Sequence, residues 1–168
     1  MSFIHGLIFS FQRIEKIKKR NRITQTSTGE CMQKILVRDL MTANVFSIYQ
    51  NEDLDKLNNL MNDFHIRHVP VVDEEESLVG IVSQRDLIRS ALYASEEIPF
   101  EEVRDLLKSM TVEDIMVRGV ETIEADQNIQ EAGSLMLENK LGCLPVVENG
   151  RVVGILTESD FVKCIVET

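Results

Sequence analysis

Gly80-Ile81-Val82-Ser83-Gln84-Arg85-Asp86 returns near the C-terminus as Gly154-Ile155-Leu156-Thr157-Glu158-Ser159-Asp160. An internal repeat constrains a fold strongly, because each copy must form the same small motif and the architecture must house both. In each copy a glycine leads apolar residues into a Ser or Thr, and an Asp follows three positions later. This reads as a short buried strand that delivers a hydroxyl to a helix N-cap and a carboxylate to the N3 position. Taken alone, Ser/Thr-x-x-Asp is an ordinary helix cap. A helix N-terminus also presents unpaired N–H groups and partial positive charge, so the same device is a plausible anion cradle. Both readings stand at this point.

The repeat extends upstream in order. Val37-Arg38-Asp39-Leu40-Met41-Thr42 predicts a short helical turn, answered by Val112 to Met116. Val45 to Ile48 reads as a strand, answered by Val120 to Ile123. Leu54, Leu57, Leu60, Met61 and Phe64 fall at helical spacing with Asn51 as the expected N-cap, answered by Ile129, Ala132, Leu135 and Met136. Val69-Pro70-Val71-Val72 is a second strand, with proline suited to its start, and Leu144-Pro145-Val146-Val147 matches it. The acidic run Asp73 to Glu76 and the pair Asn149-Gly150 each predict a hairpin turn. The offset is 75 residues through the proline strand and 74 afterward, as a one-residue difference between those turns requires. Between the copies, Phe100, Val103, Leu106 and Leu107 share one face of an expected linker helix, which either covers the first copy or meets a partner.

The predicted organisation is therefore an N-terminal extension over 1–31, a first unit over 32–95, a linker helix over 96–110 and a second unit over 111–168. The extension differs from the rest: apolar Phe3 to Phe11 precede a basic cluster from Arg13 to Arg22, the reverse of a secretory signal. It reads as a membrane-surface helix, a disordered arm, or upstream sequence that is not translated. The third reading is prompted by Gly29-Glu30, whose codons resemble a ribosome-binding site just ahead of Met32.

Composition excludes several functions. The net charge of −10 and pI near 4.8 oppose general nucleic-acid binding. No apolar run approaches the roughly 20 residues of a membrane span. Cys31, Cys143 and Cys164 have neither even count nor metal-type spacing and read as free thiols of a cytoplasmic protein. His65 and His68 have no Cys/His cluster to complete a metal site. Neither a nucleophile–base pair nor a general acid/base couple is visible.

This ordered set resembles a tandem pair of CBS domains, named after cystathionine β-synthase and together called a Bateman module. The resemblance covers about Leu36 to Val166 and rests on Asp39 to Thr42, His68 to Val72 and Gly80 to Asp86, with their second-copy counterparts. It implies an α+β fold of two β-α-β-β-α units packed sheet to sheet about a pseudo-twofold axis. It further implies two clefts that bind AMP, ADP, ATP or S-adenosylmethionine as regulatory ligand, with no cofactor required, no catalysis, and a signal passed to a partner protein or dimer mate. By position, Asp86 and Asp160 would take ribose hydroxyls, and Ser83 and Thr157 the α-phosphate. Adenine would lie against Val69 and Pro70, or Leu144 and Pro145, its edge read near Val45, Phe46 and Ser47, or Val120, Glu121 and Thr122. Homodimerisation is implied through the helices around Leu87–Leu92 and Phe161–Val166. The alternative is a nucleotide-free dimerisation scaffold on the same fold.

The copies differ at the site. Arg67, His68 and Arg85 can reach a phosphate in the first copy, where the second has Gly142, Cys143 and Ser159. Thr42 is matched by Val117, a lost hydroxyl. The first cleft is therefore expected to prefer the more highly charged ligand, unless Arg67 and His68 serve only to end a helix.

Overall fold

The computed structural model describes residues 35–95 and 99–166; the extension over 1–31, Met32 and Cys31 lie outside them. The elements are α1 (Val37–Leu40), β1 (Thr42–Ala43), β2 (Ile48–Tyr49), α2 (Leu54–Phe64), β3 (His68–Val72), β4 (Leu78–Ser83), α3 (Gln84–Ser95) and α4 (Phe100–Ser109). A 3-10 turn (Val112–Asp114) leads into β5 (Val117–Arg118), β6 (Ile123–Glu124), α5 (Ile129–Asn139), β7 (Cys143–Glu148), β8 (Arg151–Thr157) and α6 (Glu158–Val166). The fold is α+β with two four-stranded sheets, ordered β2-β3-β4-β5 and β1-β8-β7-β6. Among the described residues no helix is long and apolar enough to cross a membrane.

Two compact units result. Unit I comprises residues 44–121 with 147–153; the described part of unit II comprises 35–43, 122–146 and 154–166. Neither is one sequence copy. The start of each copy crosses to the body of the other, and the bonds that hold it repeat at the 75-residue offset. In unit II, Val37 N–H donates to the Gln127 carbonyl at 2.9 Å, Arg38 N–H to Ala125 at 2.8 Å, and Ile129 N–H to Ile35 at 3.1 Å. In unit I, Val112 N–H donates to Glu52 at 2.8 Å, Glu113 N–H to Gln50 at 3.0 Å, and Leu54 N–H to Met110 at 3.1 Å. Strand pairing follows the same exchange: Thr42 lies opposite Ile155, and Val117 opposite Ile81.

The core of unit I is built from Ile48, Leu54, Leu57, Met61, Val69, Val71, Val82, Leu87, Val103, Leu107 and Val112. Val103 and Leu107 settle the linker's role, since α4 packs its apolar face on α2 and α3. Each such side chain contributes about 1.5–3 kcal/mol on burial. In unit II the buried residues include Val37, Ile123, Ile129, Ala132, Leu144, Val146 and Leu156.

Three expectations need correction. Val45 to Ile48 and Val120 to Ile123 are not strands throughout: only Ile48 and Ile123 of those runs lie in strands. A strand persists only where a partner ladder reaches it, and β2 meets β3 only at Val71 and Val72. Phe46 supplied the apolar signal, yet it is exposed and stacks on Phe64, whose ring centroid is 3.9 Å away. The cap of α2 is Asp53, not Asn51: its Oδ1 accepts from Lys56 N–H at 2.7 Å, because the helix starts at Leu54. In α5 the matching cap is Asn128, accepting from Gln130 N–H at 2.7 Å. Pro70 sits inside β3 rather than at its start, and is tolerated there because pairing with β2 begins one residue later.

Candidate functional site

The repeated tetrad is a helix cap in both copies. Ser83 Oγ donates to Asp86 Oδ2 at 2.5 Å, Ser83 N–H donates to the same oxygen at 3.0 Å, and Asp86 N–H returns a bond to Ser83 Oγ at 3.3 Å. Thr157 N–H and Oγ1 donate to Asp160 Oδ2 at 2.8 and 2.7 Å. In each case the cap engages the Oδ2 carboxylate oxygen. Asp160 Oδ1 lies 3.8 Å from Lys163 Nζ, and Asp160 is the buried charged residue of the described chain, 6% exposed. Asp86 is half-buried, as are both hydroxyl residues, so neither cap is sealed in the interior.

Strand pairing sets what stands around each cap. Antiparallel β3 and β4 put His68 opposite Ser83 and Pro70 opposite Ile81. Gln84 N–H donates to the Arg67 carbonyl at 2.8 Å, which ties the residues before β3 to the first turn of α3. Unit I thereby brings together Arg67, His68, Val69, Pro70, Ser83, Arg85 and Asp86, with Val45, Phe46 and Ser47 in the segment leading to β2. Arg67 and Arg85 are exposed and His68 is half-buried. Unit II brings together Cys143, Leu144, Pro145, Thr157 and Asp160, and Thr122 belongs to it. There Glu158 N–H meets the Gly142 carbonyl at 3.3 Å, the counterpart of the Gln84–Arg67 bond.

Not every expected residue is grouped with its own copy. Thr42 belongs to unit II and Val120 and Glu121 to unit I, because the exchange of initial segments carries them across. Val69 and Leu144 are fully buried and Pro70 and Pro145 are buried, so Val69 and Leu144 offer no exposed side-chain surface for a base to lie against. Burial pushes the Cys143 thiol up to about 12, with a smaller contribution from the negative charge of Glu158. A cleft of about 280 Å³ does open in unit I, but it is lined by Tyr49, Val72, Asp73, Glu74, Glu75 and Glu113 and contains none of the expected residues. Its carboxylates oppose a phosphate. Among the described residues no group of three or more His, Cys, Asp or Glu is placed to hold a metal ion.

Sequence reasoning noted Phe64 only as one of the residues at helical spacing, and Glu158 only as a spacer within the tetrad. The second had a signal, since the 74-residue offset aligns Glu158 with Gln84 and Lys163 with Arg89.

The family model for the CBS domain matches twice, at residues 37–93 and 112–167. The chain belongs to the CBS domain family. Among curated relatives, a homoserine O-acetyltransferase of Methanococcus vannielii is 31% identical over 138 residues, which is 82% of this chain and 26% of that protein. The chain thus spans about a quarter of that relative's length. Among solved structures, the CBS domain pair of protein MJ0100, in complex with 5′-methylthioadenosine and S-adenosyl-L-methionine, is 27% identical with a TM-score of 0.66. The match covers 78% of this chain and 95% of that one. CBSX2, a CBS-pair protein from Arabidopsis thaliana, in complex with AMP, is 27% identical with a TM-score of 0.64, covering 79% and 96%.

Proposed function

We propose that this CBS pair is a non-enzymatic regulatory module that binds an adenosine compound beside each hydroxyl–carboxylate cap and signals through a change of interface. The observation that carries the reading is the duplicated cap, Ser83 with Asp86 and Thr157 with Asp160, each at the N-terminus of a helix and each with a half-buried hydroxyl residue, although Asp160 itself is buried. Support comes from the two similar CBS pairs that hold AMP, S-adenosylmethionine and 5′-methylthioadenosine. CBS pairs are generally regulatory. The acetyltransferase activity named for one relative is not carried over, because the alignment takes in only about a quarter of that protein. Coupling would arise by differential binding, with the ligand favouring one arrangement and the signal no larger than that preference. A cytoplasmic location belongs to the same reading and is supported by the free thiol of Cys143.

The test is mass spectrometry of small molecules released from freshly purified protein, followed by thermal unfolding with AMP, ATP and S-adenosylmethionine. A compound present at 100 times its Kd adds about 2.7 kcal/mol of stability and raises the midpoint. No released adenosine compound and no shift would overturn the reading in favour of a dimerisation scaffold. One observation favours that second reading: Ile88 and Tyr93 on α3, and Val162, Ile165 and Val166 on α6, are more than half exposed. The same apolar residues support a homodimer under either reading.

A further inference from the structure

The two caps share their hydrogen bonds but not their charge. Next to Ser83 the first copy has Arg67, whose carbonyl accepts from Gln84 N–H, and carries Arg85 and Arg89 on α3 with Asp86. At the matching positions around Thr157 stand Gly142, Ser159 and Lys163, and Gln84 is replaced by Glu158. Lys163 does not restore the balance, because its ammonium already faces Asp160. Glu158 sits in the first turn of α6, its N–H bonded to the Gly142 carbonyl beside the start of β7. Its field reaches Cys143, the residue that stands where the first copy has His68. A carboxylate at the first turn also offsets the helix N-terminal charge that would otherwise attract an anion.

Resting on the reading of both caps as adenosine sites, the geometry points to a division between them: the Ser83 site takes a 5′-phosphorylated adenosine, and the Thr157 site takes an adenosine whose 5′ substituent is uncharged or positive, with Glu158 the residue that excludes phosphate. Like charges repel a ligand as strongly as opposite ones hold it. One unit of charge added or removed within a few ångströms, partly screened by solvent, changes affinity by about tenfold.

Equilibrium dialysis of the full chain with ATP, AMP and 5′-methylthioadenosine tests this. The wild type is expected to bind one ATP per chain, and saturating ATP leaves one methylthioadenosine site open. Glu158→Gln installs the side chain that the first copy carries at position 84, and should raise AMP capacity from one to two per chain. Gln84→Glu should weaken ATP by about tenfold and leave methylthioadenosine binding beside ATP unchanged, so the division remains testable if either variant fails to fold. Two equivalent ATP sites in the wild type, or ATP and methylthioadenosine competing for every site, would overturn the division while leaving the proposed function in place. Absence of binding by all three compounds would overturn both.

Discussion

Cys143 illustrates how much one residue's surroundings decide. Its thiol is buried in unit II and held neutral to about pH 12 by burial first and by Glu158 second. In an unfolded chain a thiol ionises near 8.5. Between those values the unfolded state loses a proton that the folded state keeps, so unfolding is favoured as pH rises. Stability measured by urea unfolding should therefore fall from pH 8 to pH 10, and Cys143→Val should reduce that fall; an identical pH dependence in the variant would contradict the assignment. A neutral thiol is also a poor nucleophile. At this scale the caps were legible in sequence, because hydroxyl and carboxylate three residues apart meet in any helix start. Asn51 misled because two acceptable caps lie within three positions, and only the tertiary bond from Leu54 N–H to the Met110 carbonyl selects Asp53.

At the scale of elements, the glycines that open each repeated tetrad do more than permit a strand. A Cβ at Gly80 would lie 2.8 Å from both the Val117 carbonyl oxygen and Met116 Sδ, and one at Gly154 would press on Met41 and the Thr42 carbonyl. Both are places where the crossing initial segment is laid against the third strand of the other copy. Gly80→Ala is expected to destabilise by about 2–3 kcal/mol, since backbone and not a flexible side-chain tip must give way. Gly133→Ala within α5, whose added methyl meets the Phe161 ring of α6 at 3.3 Å, should cost markedly less. Equal midpoints in urea for Gly80→Ala and the wild type would show that the close approach is not maintained in solution. The strands β3 and β4 were readable from their apolar runs, whereas β1, β2, β5 and β6 are two residues each and carry no periodicity. Such short pieces are strands only because a partner's ladder accepts them.

For the whole molecule, the exposed apolar residues of α3 and α6 bear on assembly. If they cover one another in a homodimer, sedimentation should give a dimer for the wild type, and Ile88→Glu combined with Ile165→Glu should give a monomer with its secondary structure intact. A monomeric wild type at micromolar concentration would remove the homodimer from the proposal.

The sequence alone determined the duplication, the helices with apolar stripes, the capped helix starts, the positive charge that Arg85 has and its counterpart Ser159 lacks, and the net acidity. All of these are local patterns, encoded by side chains a few residues apart. Only the tertiary structure decided that residues 35–43 complete the body of the second copy and residues 110–118 that of the first. Those joins are made by backbone N–H and carbonyl groups, identical at every position, so no side-chain pattern distinguishes the pairing of a copy with itself from its pairing with the other.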